Sequence, residues 1–296
     1  MELYGGIEAG GTKFVCSVAS GPDEILDEVR FPTTTPEETI QKSIRYFKEF
    51  QKKSKRQLSA IGIGSFGPID LNKMSLTYGF ITTTPKSGWQ YTDLIKPISN
   101  TLNIPVVFDT DVNAAAIGEG KWGAATGLKN YIYLTIGTGI GGGLIINGNP
   151  VHGLVHPEMG HILLSKEIND DFQGVCPFHP NCFEALASGT AMKSRWNIPA
   201  EDLPKTHPAW ELEAGYIAQA LHNYICSVSP EMIILGGGVM QQTHLISLVR
   251  KKVKNYLNDY IQSPVIIKNI DQYIVLPGLG NQAGVLGAIA LAMTER

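Results

Sequence analysis

The stretch Gly5-Gly6-Ile7-Glu8-Ala9-Gly10-Gly11-Thr12-Lys13-Phe14-Val15-Cys16-Ser17-Val18 decides the fold. Within Leu3 to Ala19 it reads as strand, glycine turn, strand, since a turn free of Cβ atoms permits a tight reversal. The pattern recurs downstream. Tyr131-Ile132-Tyr133-Leu134-Thr135-Ile136 reads as a strand, Gly137 to Gly143 as a glycine-rich turn, and Leu144-Ile145-Ile146 as a strand. Two such units about 130 residues apart predict a duplicated architecture, one unit per lobe.

Outward from these hairpins the pattern alternates between strand and helix, which is α/β. A helix is expected from Pro36, with Thr35 as cap, Glu38 completing a capping box, and Ile40, Ile44 and Phe47 on one face. Ala60–Ser65 and Pro105–Asp109 read as strands. Helices are expected from the low nineties to Leu102 and over Ala114–Glu119, the latter opened by Asp111-Val112-Asn113. Later come helix Leu212–Ser229, strand Glu231–Leu235, helix Leu245–Tyr256, strand Tyr273–Leu276 and a small-residue helix from Ala283.

The 296 residues suit two domains. With 43% hydrophobic and 17% charged residues the chain is ordinarily globular. A formal net charge of -3 argues against a nucleic-acid surface, and the basic run Lys52 to Arg56 reads as a solvated helix end. No apolar run approaches the ~20 residues of a membrane helix, and no leader precedes the first strand, so a cytoplasmic protein without a membrane partner is expected. In that reducing setting the four cysteines are expected as ligands or core residues, with Cys16 and Cys226 in the core.

Two nucleotide motifs come close and fail on context. Gly6 to Lys13 resembles a P-loop, but it ends Thr12-Lys13 where Lys then Thr is required, and Phe14 continues as strand. Gly137, Gly139 and Gly142 fit G-x-G-x-x-G, yet Leu144-Ile145-Ile146 is a strand where a dinucleotide fold needs a helix. A third reading survives. Two glycine hairpins can bring backbone N–H groups onto the phosphates of one triphosphate. Transfer of a phosphoryl group then needs a carboxylate to accept a hydroxyl proton, and Asp109 and Asp111 both stand where a strand meets a helix.

Glu8-Ala9-Gly10-Gly11-Thr12-Lys13, Gly137-Thr138-Gly139-Ile140-Gly141 and Leu235-Gly236-Gly237-Gly238-Val239 together resemble the phosphate-1, phosphate-2 and adenosine motifs of actin-like sugar kinases. More narrowly the chain is similar to the ROK family and, within it, to the bacterial fructokinases, from Gly6 to Ala283-Gly284-Val285-Leu286-Gly287. The resemblance implies a two-lobed actin-like ATPase (ribonuclease H-like) fold with an interdomain cleft. The lobes would be residues 1–108, rejoined by helix 283–296, and residues 109–282. It implies an ATP-dependent kinase of a free hexose, with fructose favoured over mannose or glucose, acting as a homodimer with Mg²⁺.

For ATP and Mg²⁺ it implies Glu8, Gly10, Gly11, Thr12, Lys13, Thr135, Gly137, Thr138, Gly139, Gly236, Gly237 and Gly238. Glu8 stands where most of the family has Asp. Thr110-Asp111-Val112-Asn113 is similar to the family's Asn-Asp-Ala-Asn, which makes Asp111 the base and puts Thr110 and Asn113 at the sugar. Glu158 and His161 match the family's Glu-x-Gly-His sugar motif, and Glu184 a second sugar carboxylate. Gly67 and the Thr84-Pro85-Lys86 loop before Trp89 are expected to shape the pocket.

Cys176, His179 and Cys182 are spaced two residues apart, with His161 fifteen positions upstream of Cys176. That donor set is the Cys₂His₂ complement of a structural Zn²⁺, and it is similar to the His-containing clip of fructokinases. A transcriptional repressor of the same family would need a helix-turn-helix ahead of the first hairpin, where only five residues precede Gly6. A sugar-binding module would have no use for Asp111 and both hairpins. The enzyme is the expected class.

Overall fold

The computed structural model describes residues 1–295. Its two larger sheets repeat one plan. The first orders its strands β3-β2-β1-β4-β7, from β1 (Tyr4–Ala9), β2 (Lys13–Gly21), β3 (Glu24–Pro32), β4 (Ala60–Ser65) and β7 (Val106–Thr110). The second orders them β10-β9-β8-β11-β12, from β8 (Tyr131–Ile136), β9 (Ile140–Ile146), β10 (Asn149–Pro150), β11 (Met232–Gly236) and β12 (Ile274–Val275). In each, the hairpin pair is antiparallel and its first strand pairs in parallel with the next, β1 with β4 and β8 with β11. The expected α/β duplication is present. A small antiparallel pair, β5 (Phe80–Ile81) and β6 (Thr92–Asp93), stands apart from both sheets.

The helices are α1 (Pro36–Ser54), α2 (Ile95–Leu102), α3 (Asp111–Trp122), α4 (Phe183–Ala187), α5 (Gly189–Trp196), α6 (Ala209–Val228), α7 (Leu245–Leu257), α8 (Pro264–Ile267), α9 (Ile270–Tyr273) and α10 (Ala283–Ala292). Helix α1 begins with the expected cap but without the reciprocal half of the capping box, because the Glu38 carboxylate accepts the Thr34 hydroxyl at 2.6 Å and pairs with Lys42 at 2.7 Å. Thr35 caps it by accepting from the Glu38 N–H, Pro36 occupies the first turn, and Ile40, Ile44 and Phe47 are buried. The strand expected at Tyr273–Leu276 is shorter, because α9 runs through Tyr273.

The chain divides into two compact units. One holds residues 1–127, 150–157 and the chain from Gly278 on; the other holds residues 128–149 and 158–277. The expected lobe limit at residue 108 differs from this partition, because α3 packs on α10. A Cβ at Gly118 would lie 2.8 Å from the Gly287 Cα, so two glycines let these helices meet backbone to backbone. Helix α10 sits equally close to β4, where a Cβ at Gly62 would lie 2.0 Å from the Ala288 carbonyl oxygen. It spans Ala283–Ala292 rather than 283–296, and Arg296 lies outside the described residues.

Each unit has its own core. Ile7, Phe14, Phe47, Ile61 and Trp89 belong to the first; Leu134, Phe183, Trp210, Leu221 and Leu235 belong to the second. Cys16 is buried as expected, but Cys226 is exposed, so its assignment to the core is corrected. Its neighbour Ile225 takes the inward face of α6, while Cys226 shares the outer face with His222, four residues back. Among the described residues no helix is long and apolar enough to cross a membrane.

Candidate active site

The first glycine turn, Gly10-Gly11-Thr12, closes β1 onto β2 through a Gly10 N–H donated to the Lys13 carbonyl at 3.0 Å. Thr33, just past β3, clamps it from outside. Its hydroxyl donates to the Gly10 carbonyl at 2.7 Å and its N–H to the Thr12 carbonyl at 2.9 Å. Glu8 lies beside this turn, half-buried, and Gly284 of α10 makes room for it: a Cβ there would fall 2.5 Å from the Glu8 carboxyl carbon. Burial raises the Glu8 pKa above the ordinary range, opposed by the charges of Lys13 and Arg30. Thr12 and Lys13 are exposed.

The second glycine turn, Gly137-Thr138-Gly139, is held differently. The Gly137 carbonyl accepts the Gly189 N–H at 2.7 Å, and the Thr138 carbonyl accepts the Thr190 hydroxyl at 2.7 Å. The Glu184 carboxylate accepts the Ile140 N–H at 2.9 Å, directly beneath Gly139. The Gly236-Gly237-Gly238 loop adjoins this turn. Gly236 pairs with Thr135 in the sheet. Gly237, at φ +91°, packs so close to Ile136 that a Cβ would meet its backbone at 2.4 Å. The structure therefore gathers Thr135, Gly137, Thr138, Gly139 and the triple glycine at one end of the second sheet.

At the end of β7, residues 109–113 form a bonded turn. Thr110, rather than Asp111, caps α3: its hydroxyl accepts the Asn113 N–H at 3.1 Å. Thr110 and Asn113 are buried, and Asp111 is half-buried at the first position of the helix. Asp109 is almost fully enclosed and bonded at both oxygens. Oδ1 accepts from the Thr110 N–H and the Asn113 Nδ2, each at 2.7 Å, while Oδ2 lies 2.9 Å from the His152 Nε2. A carboxylate this occupied is poorly placed to take a substrate proton. Gly67 stands in a loop whose next N–H, that of Ile69, donates to the His156 Nε2 at 3.2 Å. Sequence reading passes over His152 and His156, although the run His152-Gly153-Leu154-Val155-His156-Pro157 directly precedes Glu158.

In the second unit, Glu158, His161, Glu184 and the cysteine loop come together. Desolvation by the surrounding protein, then the Glu184 charge, pushes Glu158 up to about 7, although the residue keeps an exposed face. His161 turns two faces outward. Its Nε2 lies 4.0 Å from Glu184, and its Nδ1 lies 3.5 Å from the Cys182 Sγ and 3.9 Å from the Cys176 Sγ. The His179 Nδ1 is 3.9 Å from the Cys176 Sγ, and all four donor atoms fall within 4.8 Å of one another. A tetrahedral zinc with bonds of ~2.3 Å to sulfur and ~2.0 Å to nitrogen separates S and N donors by about 3.5 Å. The three sulfur–nitrogen separations above, 3.5–3.9 Å, lie at or somewhat above that value. Cys182 also caps α4, accepting the Ala185 N–H, so Glu184 is carried on the helical turn that a cysteine of the cluster begins.

The family model for the ROK family matches residues 4–295. The chain belongs to the ROK family. Its relatives include a fructokinase of Lactococcus lactis subsp. cremoris, 47% identical over 98% of this chain and 96% of that protein. The fructokinase of Zymomonas mobilis subsp. mobilis is 42% identical over 99% and 97%. Among solved structures, a ROK family glucokinase from Streptomyces griseus in complex with glucose and AMPPNP superposes with a TM-score of 0.76 at 25% identity, covering 99% of each chain. The duplicated sheets are thus those of the actin-like ROK kinases, as the glycine hairpins predict.

Proposed function

We propose that this chain is a cytoplasmic, ATP-dependent fructokinase that converts D-fructose to fructose 6-phosphate. The observation that carries the chemistry is the division of labour over residues 109–111. Thr110 supplies the helix cap and Asp109 is enclosed and tied at both oxygens, whereas Asp111 is half-buried at the first position of α3, its Oδ1 accepting the Val112 N–H at 2.9 Å, and the base role is assigned to Asp111. A hexose oxygen bonds to the γ-phosphorus of ATP as the bond from that phosphorus to the β,γ-bridging oxygen breaks. ADP leaves, and Asp111 takes the hydroxyl proton.

The glycine turns at 10–12 and 137–139 would present backbone N–H groups to the phosphates, with the triple glycine beside the adenosine. Glu8 would hold Mg²⁺, which would neutralise phosphate charge; a carboxylate whose ionisation is disfavoured by burial suits a cation. Gly67, Thr110, Asn113, Glu158, His161 and Glu184 are assigned to the hexose. His161, Cys176, His179 and Cys182 would hold a structural Zn²⁺ that steadies Glu184. Fructose is supported by identities of 42–47% to fructokinases against 25% to the glucokinase. The reading includes a homodimer, for which light scattering is the test.

ADP release across a hexose panel tests the assignment. Fructose should give the highest kcat/KM, with mannose measurable and glucose poor; a higher value for glucose overturns the sugar and leaves the kinase standing. Asp111→Asn should lower kcat at least ~10²-fold with hexose affinity within a few-fold. Near-normal turnover would move the base to Asp109.

A further inference from the structure

From the end of β10 to Glu158 the chain makes an excursion, residues 150–157, that belongs to the first unit although residues 128–149 before it and 158–277 after it belong to the second. It carries two histidines four positions apart, and each is bonded to a different loop. His152 reaches Asp109 at 2.9 Å. An ionised carboxylate only accepts, so the His152 Nε2 carries the proton and donates. His156 uses the same ring atom in the opposite sense: its Nε2 accepts the Ile69 N–H at 3.2 Å, and its ring donates to the Pro157 carbonyl. Its ring also packs against Gly67, where a Cβ would lie 3.4 Å from the His156 Cε1.

We propose that residues 152–156 form a strap that positions the sugar-binding half of the first unit, His152 acting on Asn113 and the start of α3 through Asp109, and His156 on the Gly67 loop through Ile69. The chain of bonds is continuous at the first anchor. The His152 N–H fixes the Asp109 carboxyl plane, whose other oxygen holds the Asn113 amide and the Thr110 N–H. Asp111 sits within that turn. The second anchor holds a buried imidazole against a loop that has no other side chain bonded to the Ile69 N–H among the described residues. Neither histidine is a catalytic residue on this reading. Both are positioning residues, and the proposal rests on the assignment of Asp111, Asn113 and Gly67 to the fructose site.

Steady-state kinetics with fructose and ATP varied separately, beside thermal melts, test it. His152→Ala should lower kcat/KM for fructose about 10- to 10²-fold, with the ATP KM within two-fold, since small misplacements at a reacting centre cost that much. His152→Gln, whose amide can still donate to Asp109, should recover most of the loss. His156→Ala should also raise the fructose KM. The double variant should cost less than the product of the two, because one strap released at either end is already slack. A lowered Tm with unchanged kinetics of the folded enzyme, no recovery by Gln, or strictly multiplicative effects would each overturn the strap. If Asp111→Asn keeps near-normal turnover, the site assignment itself fails and the strap with it. If Asp111→Asn is inactive while His152→Ala is normal, only the strap fails.

Discussion

The two glycine hairpins share a sequence pattern and a place in their sheets, yet they are held by different things. The turn at residues 10–12 is clamped by Thr33 and backed by Gly284, all within sheet and helix of one unit. The turn at 137–139 is held by Glu184 and by the start of α5. Glu184 lies in turn beside His161, whose other face belongs to the cysteine cluster. The first hairpin can therefore be changed alone. The second is wired to groups assigned to the sugar and the metal, so damage there should spread from one substrate to the other.

Glu184→Ala is the strongest way to break that contrast. It leaves the Ile140 N–H without its carboxylate and removes an assigned sugar group, so kcat/KM should fall at least ~10²-fold for fructose and for ATP alike. Glu184→Gln, which can still accept that N–H, should spare ATP more than fructose. Separate Michaelis constants decide it: a loss confined to fructose would uncouple the hairpin from the sugar site.

Loss of the proposed zinc should do the same more weakly. Elemental analysis should find about one zinc per chain, and Cys182→Ser should lose it, because the change removes a thiolate donor while a serine hydroxyl can still cap α4. The expected kinetic cost is ~10- to 10²-fold, shared by the two substrates, as is usual when support behind a site is lost. Burial, with a smaller contribution from the neighbouring Cys176, pushes the Cys182 thiol up to about 11, so an empty cluster would keep it protonated at neutral pH. A folded, metal-free and fully active protein removes the claim.

How much of this is legible in the sequence follows contact range. The hairpins, the α1 cap and the Cys-x-x-His-x-x-Cys clip are local patterns, and the structure reproduces each. The partition that keeps α3 with the first unit rests on the approach of Gly118 to Gly287, a long-range glycine contact that the local pattern at the end of β7 does not encode. The capping role of Thr110 and the Asp109–His152 pair, 43 positions apart, depend on which long-range neighbour arrives, which no spacing rule encodes. Cys226 is misread because its apolar neighbours in sequence face the other side of the helix.

The smallest expected effect sharpens the comparison from the first hairpin. Glu8 is longer than the Asp that the ROK resemblance leads one to expect, and Gly284 is where the extra length is accommodated. A methyl at 284 would fall 2.5 Å from the Glu8 carboxyl carbon and 2.8 Å from Oε2, closer than real contacts allow. The contact is with the flexible end of a side chain, so Gly284→Ala should fold and should instead push the carboxylate away from the turn. We expect a fall of about five- to ten-fold in kcat/KM for ATP, with the fructose KM unmoved, because Glu8 lies with Gly284 at the first glycine turn and not with the residues assigned to the sugar. Glu8→Asp alone should cost only a few-fold. In the Gly284→Ala background the same change withdraws the carboxyl from the added methyl, so it should be neutral or restore activity. A coupling of about 1 kcal/mol between the two sites, roughly five-fold, is the signature of side chains in contact. Additive losses would mean that Gly284 serves only the packing of α10 on the sheet, and that the longer carboxylate found its place without it.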